Sequence, residues 1–185
     1  MTVFRRLLRS PEGAVGLAIL SLLVLTALLA PVLFPADPLS IVGPALVPPF
    51  TDSAFPLGTD RLGRDVLAGL MHGAGTSLAV GIAAAVVAMA VGSLVGTLAG
   101  FAGGLVDEAL MRVVDAFQIV PPFLLALAFV SVTGASLPVV ILAIALGAWT
   151  GPARLARAEV LSIRERDYVA AARVLGMRPI EIAFR

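Results

Sequence analysis

The long apolar runs are the feature that most restricts how this chain can fold. Gly13–Leu33 is almost uninterrupted apolar sequence, and Pro31 and Pro35 mark its end. About 20 such residues are enough for a helix to cross the hydrocarbon core of a bilayer. The run therefore predicts a first transmembrane helix over residues 13–34, preceded by a short tail at residues 1–12.

Three further apolar stretches predict three more spans, at about residues 76–99, 107–132 and 137–153. Hydrophobic residues make up 59% of the 185 residues, and the mean hydropathy is +1.04. A soluble domain of this size does not need so much apolar surface. The fold class is therefore an all-α, polytopic helical bundle in a lipid bilayer. Trp149, near the end of the last span, suits an interfacial aromatic belt.

The charged residues outside the spans predict the orientation. Arg5, Arg6 and Arg9 precede the first span, which favours a cytoplasmic N-terminus. The loop at residues 35–74 is rich in proline and slightly acidic, so we expect it on the extracytoplasmic side. Six arginines follow close on the fourth span: Arg154, Arg157, Arg164, Arg166, Arg173 and Arg178. This concentration of positive charge predicts a cytoplasmic segment at residues 160–185.

The composition excludes several functions. All 13 basic residues are arginine, so the chain has no lysine for a phosphate-binding P-loop. It has no cysteine, and its lone histidine, His72, has no second metal ligand in view. The net charge of +1 gives no reason to expect nucleic acid as a partner. We predict that the protein is not an enzyme and that it has no catalytic residue, cofactor or metal site.

The outer loop ends in a charged motif, Leu57–Val66, that contains two possible i,i+4 pairs. These are Asp60 with Arg64 and Arg61 with Asp65. Such pairs stabilise an exposed helix by only a few tenths of a kcal/mol. The spacing favours a solvated amphipathic turn on the outer membrane surface. The alternative is an ordered cap over a translocation path.

The second span carries three glycines on one helix face, Gly92, Gly96 and Gly100. Small residues at this spacing let helix backbones approach closely in lipid. We therefore expect this face to pack against a partner, in this chain or in another, although glycine is common in membrane helices generally. The sequence His72–Gly75 predicts a break before this span begins.

The third span opens with four charged residues, Asp107, Glu108, Arg112 and Asp115, which can pair as Glu108 with Arg112 and Arg112 with Asp115. Unpaired at the bilayer centre, each would cost about 2.5–3.5 kcal/mol. They lie in the cytoplasmic interface or pair inside the bundle along a path. The interface is favoured for Asp107 and Glu108, and both possibilities stand for Arg112 and Asp115. Pro121, followed by a second proline, predicts a break or kink.

The C-terminal segment is short and charged. Ser162 and Glu165 have the spacing of a capping box, which predicts that a helix begins there. Tyr168 starts an apolar helical face, and Gly176 predicts a left-handed stop. A small helix of this kind suits docking into a groove on another protein.

Together these motifs resemble the permease subunit of a bacterial ABC importer of the dipeptide, oligopeptide and nickel class. One motif of that class corresponds here to Gly58, Thr59, Asp60, Gly63, Arg64 and Asp65. The other is the cytoplasmic E-A-A-x-x-x-G loop, whose matching region here comprises Glu165, Asp167, Tyr168, Ala170, Ala171, Ala172 and Gly176. Ala170 stands where the family has glutamate.

The resemblance implies a mechanism and partners. A second permease subunit would complete the path, two ABC ATPase subunits would hydrolyse ATP, and an extracytoplasmic solute-binding protein would deliver the solute. The permease would lie in the bacterial cytoplasmic (inner) membrane, and its cytoplasmic helix would couple the spans to the ATPases. The family pattern continues with two further spans, so residues 75–185 are expected to form a C-terminally truncated transmembrane domain. The alternatives are a secondary-transporter fragment and a non-transporting membrane scaffold.

Overall fold

The structure is a computed structural model that describes residues 10–169 and 175–176. Six α-helices lie wholly within that part of the chain: α1 (Pro11–Leu33), α2 (Val66–Ala102), α3 (Gly104–Ile119), α4 (Pro122–Thr133), α5 (Leu137–Ala148) and α6 (Thr150–Arg164). Between residues 10 and 169, β pairing is limited to a single antiparallel bridge between Thr59 and Asp65. The predicted all-α class is confirmed.

Two of the described helices, α1 and α2, are each long and apolar enough to cross a membrane. The consecutive helices α3 and α4 meet at 87°, and α5 and α6 meet at 45°, so the described residues hold up to four spans if each bent pair is one. The 87° bend lies at Pro121, where the sequence predicted a break. Proline has no N–H to donate and clashes with the preceding helical turn, which explains the bend.

The chain divides into two compact units, Met1–Ala79 and Val80–Arg185, and α2 runs through both. In the first unit α2 begins at Val66, so the predicted break at residues 72–75 is wrong. Each glycine in this stretch costs the helix only about 1 kcal/mol, which is too little to interrupt it. The ring Nε2 of His72 lies 2.9 Å from the carbonyl oxygen of Phe34, and a Cβ at Gly75 would lie 3.7 Å from the Cβ of Ala27.

In the second unit, α4 and α5 pack against each other, and the core gathers around Trp149 with Ala88, Val114, Ala145 and Ala153. Trp149 is only 7% exposed. Its ring meets that of Phe117 edge to face, with centroids 5.4 Å apart and planes at 75°. Trp149 is thus a core residue, and the prediction that it belongs to an interfacial aromatic belt is wrong. The residue lies at the bend between α5 and α6, among core side chains.

The C-terminal helix boundary also differs from its prediction. The helix α6 continues to Arg164, so Ser162 lies in its last turn and no helix begins there. Alanine, leucine and arginine dominate the preceding turns and favour a continuous helix, which outweighs one capping-box spacing. Glu165 is the C-terminal cap, and the chain turns there, with the N–H of Arg166 donating to the carbonyl oxygen of Ile163 at 3.1 Å.

Candidate functional site

The outer-loop motif is held together from within, beginning with Thr59. This residue is only 6% exposed. Its hydroxyl donates to the carbonyl oxygen of Pro44 at 2.5 Å and accepts from the N–H of Val47 at 3.0 Å. The N–H of Thr59 also donates to the carbonyl oxygen of Val47, at 3.2 Å. Thr59 therefore joins the two arms of the loop.

Two aspartates of the motif bind backbone N–H groups. Oδ1 of Asp60 accepts from Leu62 at 2.7 Å and from Arg64 at 2.9 Å. The N–H of Arg64 is the main cause that holds the pKa of the Asp60 carboxyl below its ordinary value. Oδ1 of Asp65 accepts from the N–H of Leu67 at 2.8 Å and so caps the N-terminus of α2. The two predicted charge pairs are not formed within residues 10–169, and the motif folds as a turn rather than a helix.

Two glycines of the motif have left-handed backbone conformations, with φ of +76° at Gly58 and +77° at Gly63. A Cβ at Gly58 would overlap the carbonyl oxygen of Val47, and one at Gly63 would overlap that of Gly43. Glycine is required at both positions for space as well as for conformation. The remaining residue, Arg64, has a buried Nε with no hydrogen-bond partner in the described part of the chain.

The structure brings the three predicted packing glycines together against α6. A Cβ at Gly96 would overlap the carbonyl oxygen of Ala153 and lie 2.9 Å from its carbonyl carbon. A Cβ at Gly92 would lie 2.9 Å from the Ala153 nitrogen, and one at Gly100 would lie 2.9 Å from the Cβ of Val160. The two helices thus meet backbone to backbone along this face, and its partner lies in the same chain.

A second set of contacts ties α6 to its neighbours through arginine. Arg157 binds Asp107 of α3 in bidentate fashion, with Nε–Oδ1 at 2.5 Å and Nη2–Oδ2 at 2.6 Å. The side chains of Arg157 and Asp107 are 34% and 14% exposed, respectively. At the end of α6, Nη1 of Arg164 donates to the carbonyl oxygen of Gly100 at 2.7 Å, in the last turn of α2. A cation there satisfies a carbonyl that the helix leaves free.

The other charges of α3 are more exposed. Asp115 pairs with Arg154 of α6 at 2.5 Å, not with Arg112 as its spacing predicted. Arg112 pairs instead with Glu108 at 2.6 Å, as predicted for that pair. The sequence did not identify the two pairs that join α3 to α6. Their partners lie 39 and 50 residues apart, and no local spacing rule reaches that far.

The second unit also has an open groove of about 380 Å³. Its lining is almost entirely apolar and includes Val91, Phe117, Phe129 and Leu142. Arg112 and Asp115 do not line it.

The predicted coupling residues are described only in part. Glu165 and Asp167 are both exposed. Tyr168 is 57% exposed, whereas Val169 is buried, with 2% exposure. Gly176 has φ of +77°, the left-handed conformation that its position predicted. Ala170, Ala171 and Ala172 lie outside the described residues.

These features define the structural class of the protein. The chain is a polytopic helical membrane protein with helices joined by glycine contacts and ion pairs. Residues 92–185 match the model of the family described as "Binding-protein-dependent transport system inner membrane component". Residues 2–57 match that of the "N-terminal TM domain of oligopeptide transport permease C". The chain belongs to the binding-protein-dependent transport permeases, which are transporter components and not enzymes.

Individual relatives agree with this family. The chain is 39% identical to the nickel transport system permease protein NikC of Escherichia coli (strain K12), over 90% of this chain and 60% of NikC. It is 34% identical to the dipeptide transport system permease protein DppC of Bacillus subtilis (strain 168), over 97% of this chain and 56% of DppC. It is 42% identical to a probable peptide ABC transporter permease, y4tQ, of Sinorhizobium fredii, over 100% of this chain and 62% of y4tQ.

The chain thus spans about 60% of the length of the curated relatives it matches. The resemblance to the dipeptide, oligopeptide and nickel class of ABC importer permeases, first seen in the motifs, is confirmed.

Proposed function

We propose that this chain forms part of the translocation path of an ATP-driven importer and couples that path to separate ATPase subunits. The observation that carries the proposal is the family match over residues 92–185, which includes α6 and the segment that follows it. The names of the relatives give nickel, dipeptides and oligopeptides as their solutes. We infer that the importer carries a small solute of the same kinds, and peptides are the first solutes to test.

The coupling role belongs to the segment from Glu165 to Gly176. It follows α6 directly, and α6 is joined to α2 by close backbone contact and to α3 by ion pairs. Tyr168 is more than half exposed, as a residue that meets a partner must be. A pull on this segment therefore acts on a helix that is firmly attached to the bundle, and coupling requires that such a movement shift the bundle between two states.

The partners and orientation follow from the same proposal. Two ATPase subunits dock on the cytoplasmic side, a second permease subunit completes the path, and an extracytoplasmic solute-binding protein meets the outer side. The N-terminus and the coupling segment are cytoplasmic, and the loop at residues 35–74 faces outward. The ordered motif in this loop, held by Thr59 and Asp60, supports a shaped outer surface for that meeting.

Site-directed crosslinking tests the coupling role. The chain has no cysteine, so single substitutions report cleanly. In membranes that also contain the ATPase subunits, Tyr168→Cys and Ala171→Cys should crosslink to an ATPase subunit. The matched control is Val169→Cys, next in sequence but only 2% exposed, which should crosslink far less. Absence of any crosslink from both Tyr168→Cys and Ala171→Cys would refute coupling through this segment.

The orientation has its own test. A membrane-impermeant thiol reagent added from outside should label Ser53→Cys and leave Ala158→Cys unlabelled until the membrane is opened. The reverse pattern would show that the orientation is inverted.

A non-transporting scaffold is the remaining alternative, since the family assigns a transport class and argues against a secondary transporter. Solute uptake decides between the two. If cells in which this chain replaces the resident permease take up no peptide or nickel, although the crosslinks form, the scaffold role is favoured.

A further inference from the structure

We propose that Asp107 and Arg157 are positioning residues that lock α3 to α6, so that a pull on the coupling segment moves α3 as well as α2. The inference rests on the proposed function, because it needs a partner that pulls on residues 165–176. It assigns a role in transport to two residues through the contact that they make with each other.

The first link runs from the coupling segment into α6. The helix ends at Arg164, the chain turns at Glu165, and residues 167–169 are helical again. The N–H of Arg166 donates to the carbonyl oxygen of Ile163, and that of Val169 donates to the carbonyl oxygen of Arg166. Val169 is buried, so the start of the segment is itself anchored. A displacement of Tyr168 is therefore passed to α6 over a short, hydrogen-bonded stretch.

The second link runs from α6 to α2 through the glycine face. At Gly96 the backbone of α6 lies so close that no Cβ fits, so no side chain can change rotamer and absorb a movement. The end of this face is tied by Arg164, which binds the carbonyl oxygen of Gly100. The C-terminal half of α2 must follow α6 closely.

The third link, from α6 to α3, is where the ion pairs matter, because α3 has no comparable glycine face toward α6. Arg157 and Asp107 form two parallel hydrogen bonds, which restrict the angle between the helices as well as their distance. This pair is the least exposed of the three described ion pairs, and water competes with it least. The pair between Arg154 and Asp115 is more than half exposed and holds the helices less firmly.

The chain offers a close control for this lock. Glu108 is the next residue of α3 and also binds an arginine, Arg112, but that pair lies within α3 and joins no other helix. Asp107→Asn and Glu108→Gln each remove one carboxylate from the same turn. Only the first breaks a link to α6.

The test measures solute imported per ATP hydrolysed, with the full transporter in liposomes. We expect Asp107→Asn to lower this ratio about fivefold or more, the lower end of typical coupling between sites. The crosslink from Tyr168→Cys to the ATPase should remain, and Glu108→Gln should keep the ratio of the unmodified protein. The exchanged pair, Asp107→Arg with Arg157→Asp, should recover part of the loss.

A second variant decides the matter where Asp107→Asn does not assemble. Arg157→Lys keeps the charge but cannot form the bidentate pair, so it should also lower the ratio. An unchanged ratio in Asp107→Asn, or in Arg157→Lys where the first variant is lost, would overturn the lock. Absence of the crosslinks from both Tyr168→Cys and Ala171→Cys in the otherwise unmodified protein would instead contradict the proposed function.

Discussion

The close contact between α2 and α6 makes a sharp prediction about Gly96→Ala. The new Cβ would overlap the carbonyl oxygen of Ala153 and lie 2.9 Å from its carbonyl carbon and 3.0 Å from the Cβ of Ala156. Two of these three atoms belong to the backbone, so relief requires α6 itself to move. Overpacking of this kind costs about 1–3 kcal/mol. Replacement of glycine by alanine in a helix also contributes about 0.5–1 kcal/mol of stability.

Gly81→Ala is the matched control, because Gly81 lies in the same helix with no neighbour within 4 Å of a new Cβ. Both variants gain the same helix preference, so their difference isolates the steric cost of about 1–3 kcal/mol. At about 2–4 °C per kcal/mol for a chain of this size, Gly96→Ala should melt roughly 2–12 °C below Gly81→Ala. Thermal unfolding of the purified proteins in one detergent measures this. Equal Tm values, or a higher Tm for Gly96→Ala, would refute the backbone contact.

Two further predictions concern the outer loop. Asp65→Ala removes the cap of α2 and should cost about 0.5–2 kcal/mol, seen as a lower Tm, whereas Asp65→Asn keeps a capping oxygen and should stay close to the unmodified protein; equal losses in both would contradict the cap. The lowered pKa of Asp60 stabilises the loop fully above the ordinary carboxyl pKa of 3.8, and this contribution is lost as pH falls through the lower pKa of the folded state. The Tm difference between the unmodified protein and Asp60→Asn should therefore be constant from about pH 5 to 8 and shrink below about pH 4; a difference independent of pH down to about pH 3 would argue against this role.

Local patterns predicted well what depends on local physics. The first span was expected at residues 13–34, and α1 covers Pro11–Leu33, because a long apolar run in lipid has few alternatives to a helix. The kink at Pro121 and the left-handed turn at Gly176 were likewise predictable, since each follows from the covalent structure of one residue. Such features need no knowledge of what packs nearby.

The same local rules failed where a competing contact decided the outcome. His72–Gly75 was predicted as a break, yet α2 continues through it, with its N-terminus capped by Asp65. Asp60 and Asp65 were assigned to arginines four residues away and bind backbone N–H groups instead. A carboxylate next to a turn finds N–H donors nearer than any flexible guanidinium.

The contacts of α6 with α2 and α3 show most clearly which features the sequence determined and which the tertiary structure decided. By itself the sequence determined the family, the apolar spans and the presence of a glycine face in α2, since each depends on which residues stand at which spacing. Only the tertiary structure decided that this face meets α6, and that Asp107 and Asp115 pair with Arg157 and Arg154. The physical reason is distance along the chain: helices carry no sequence signal for which remote helix they will contact, and packing alone selects it.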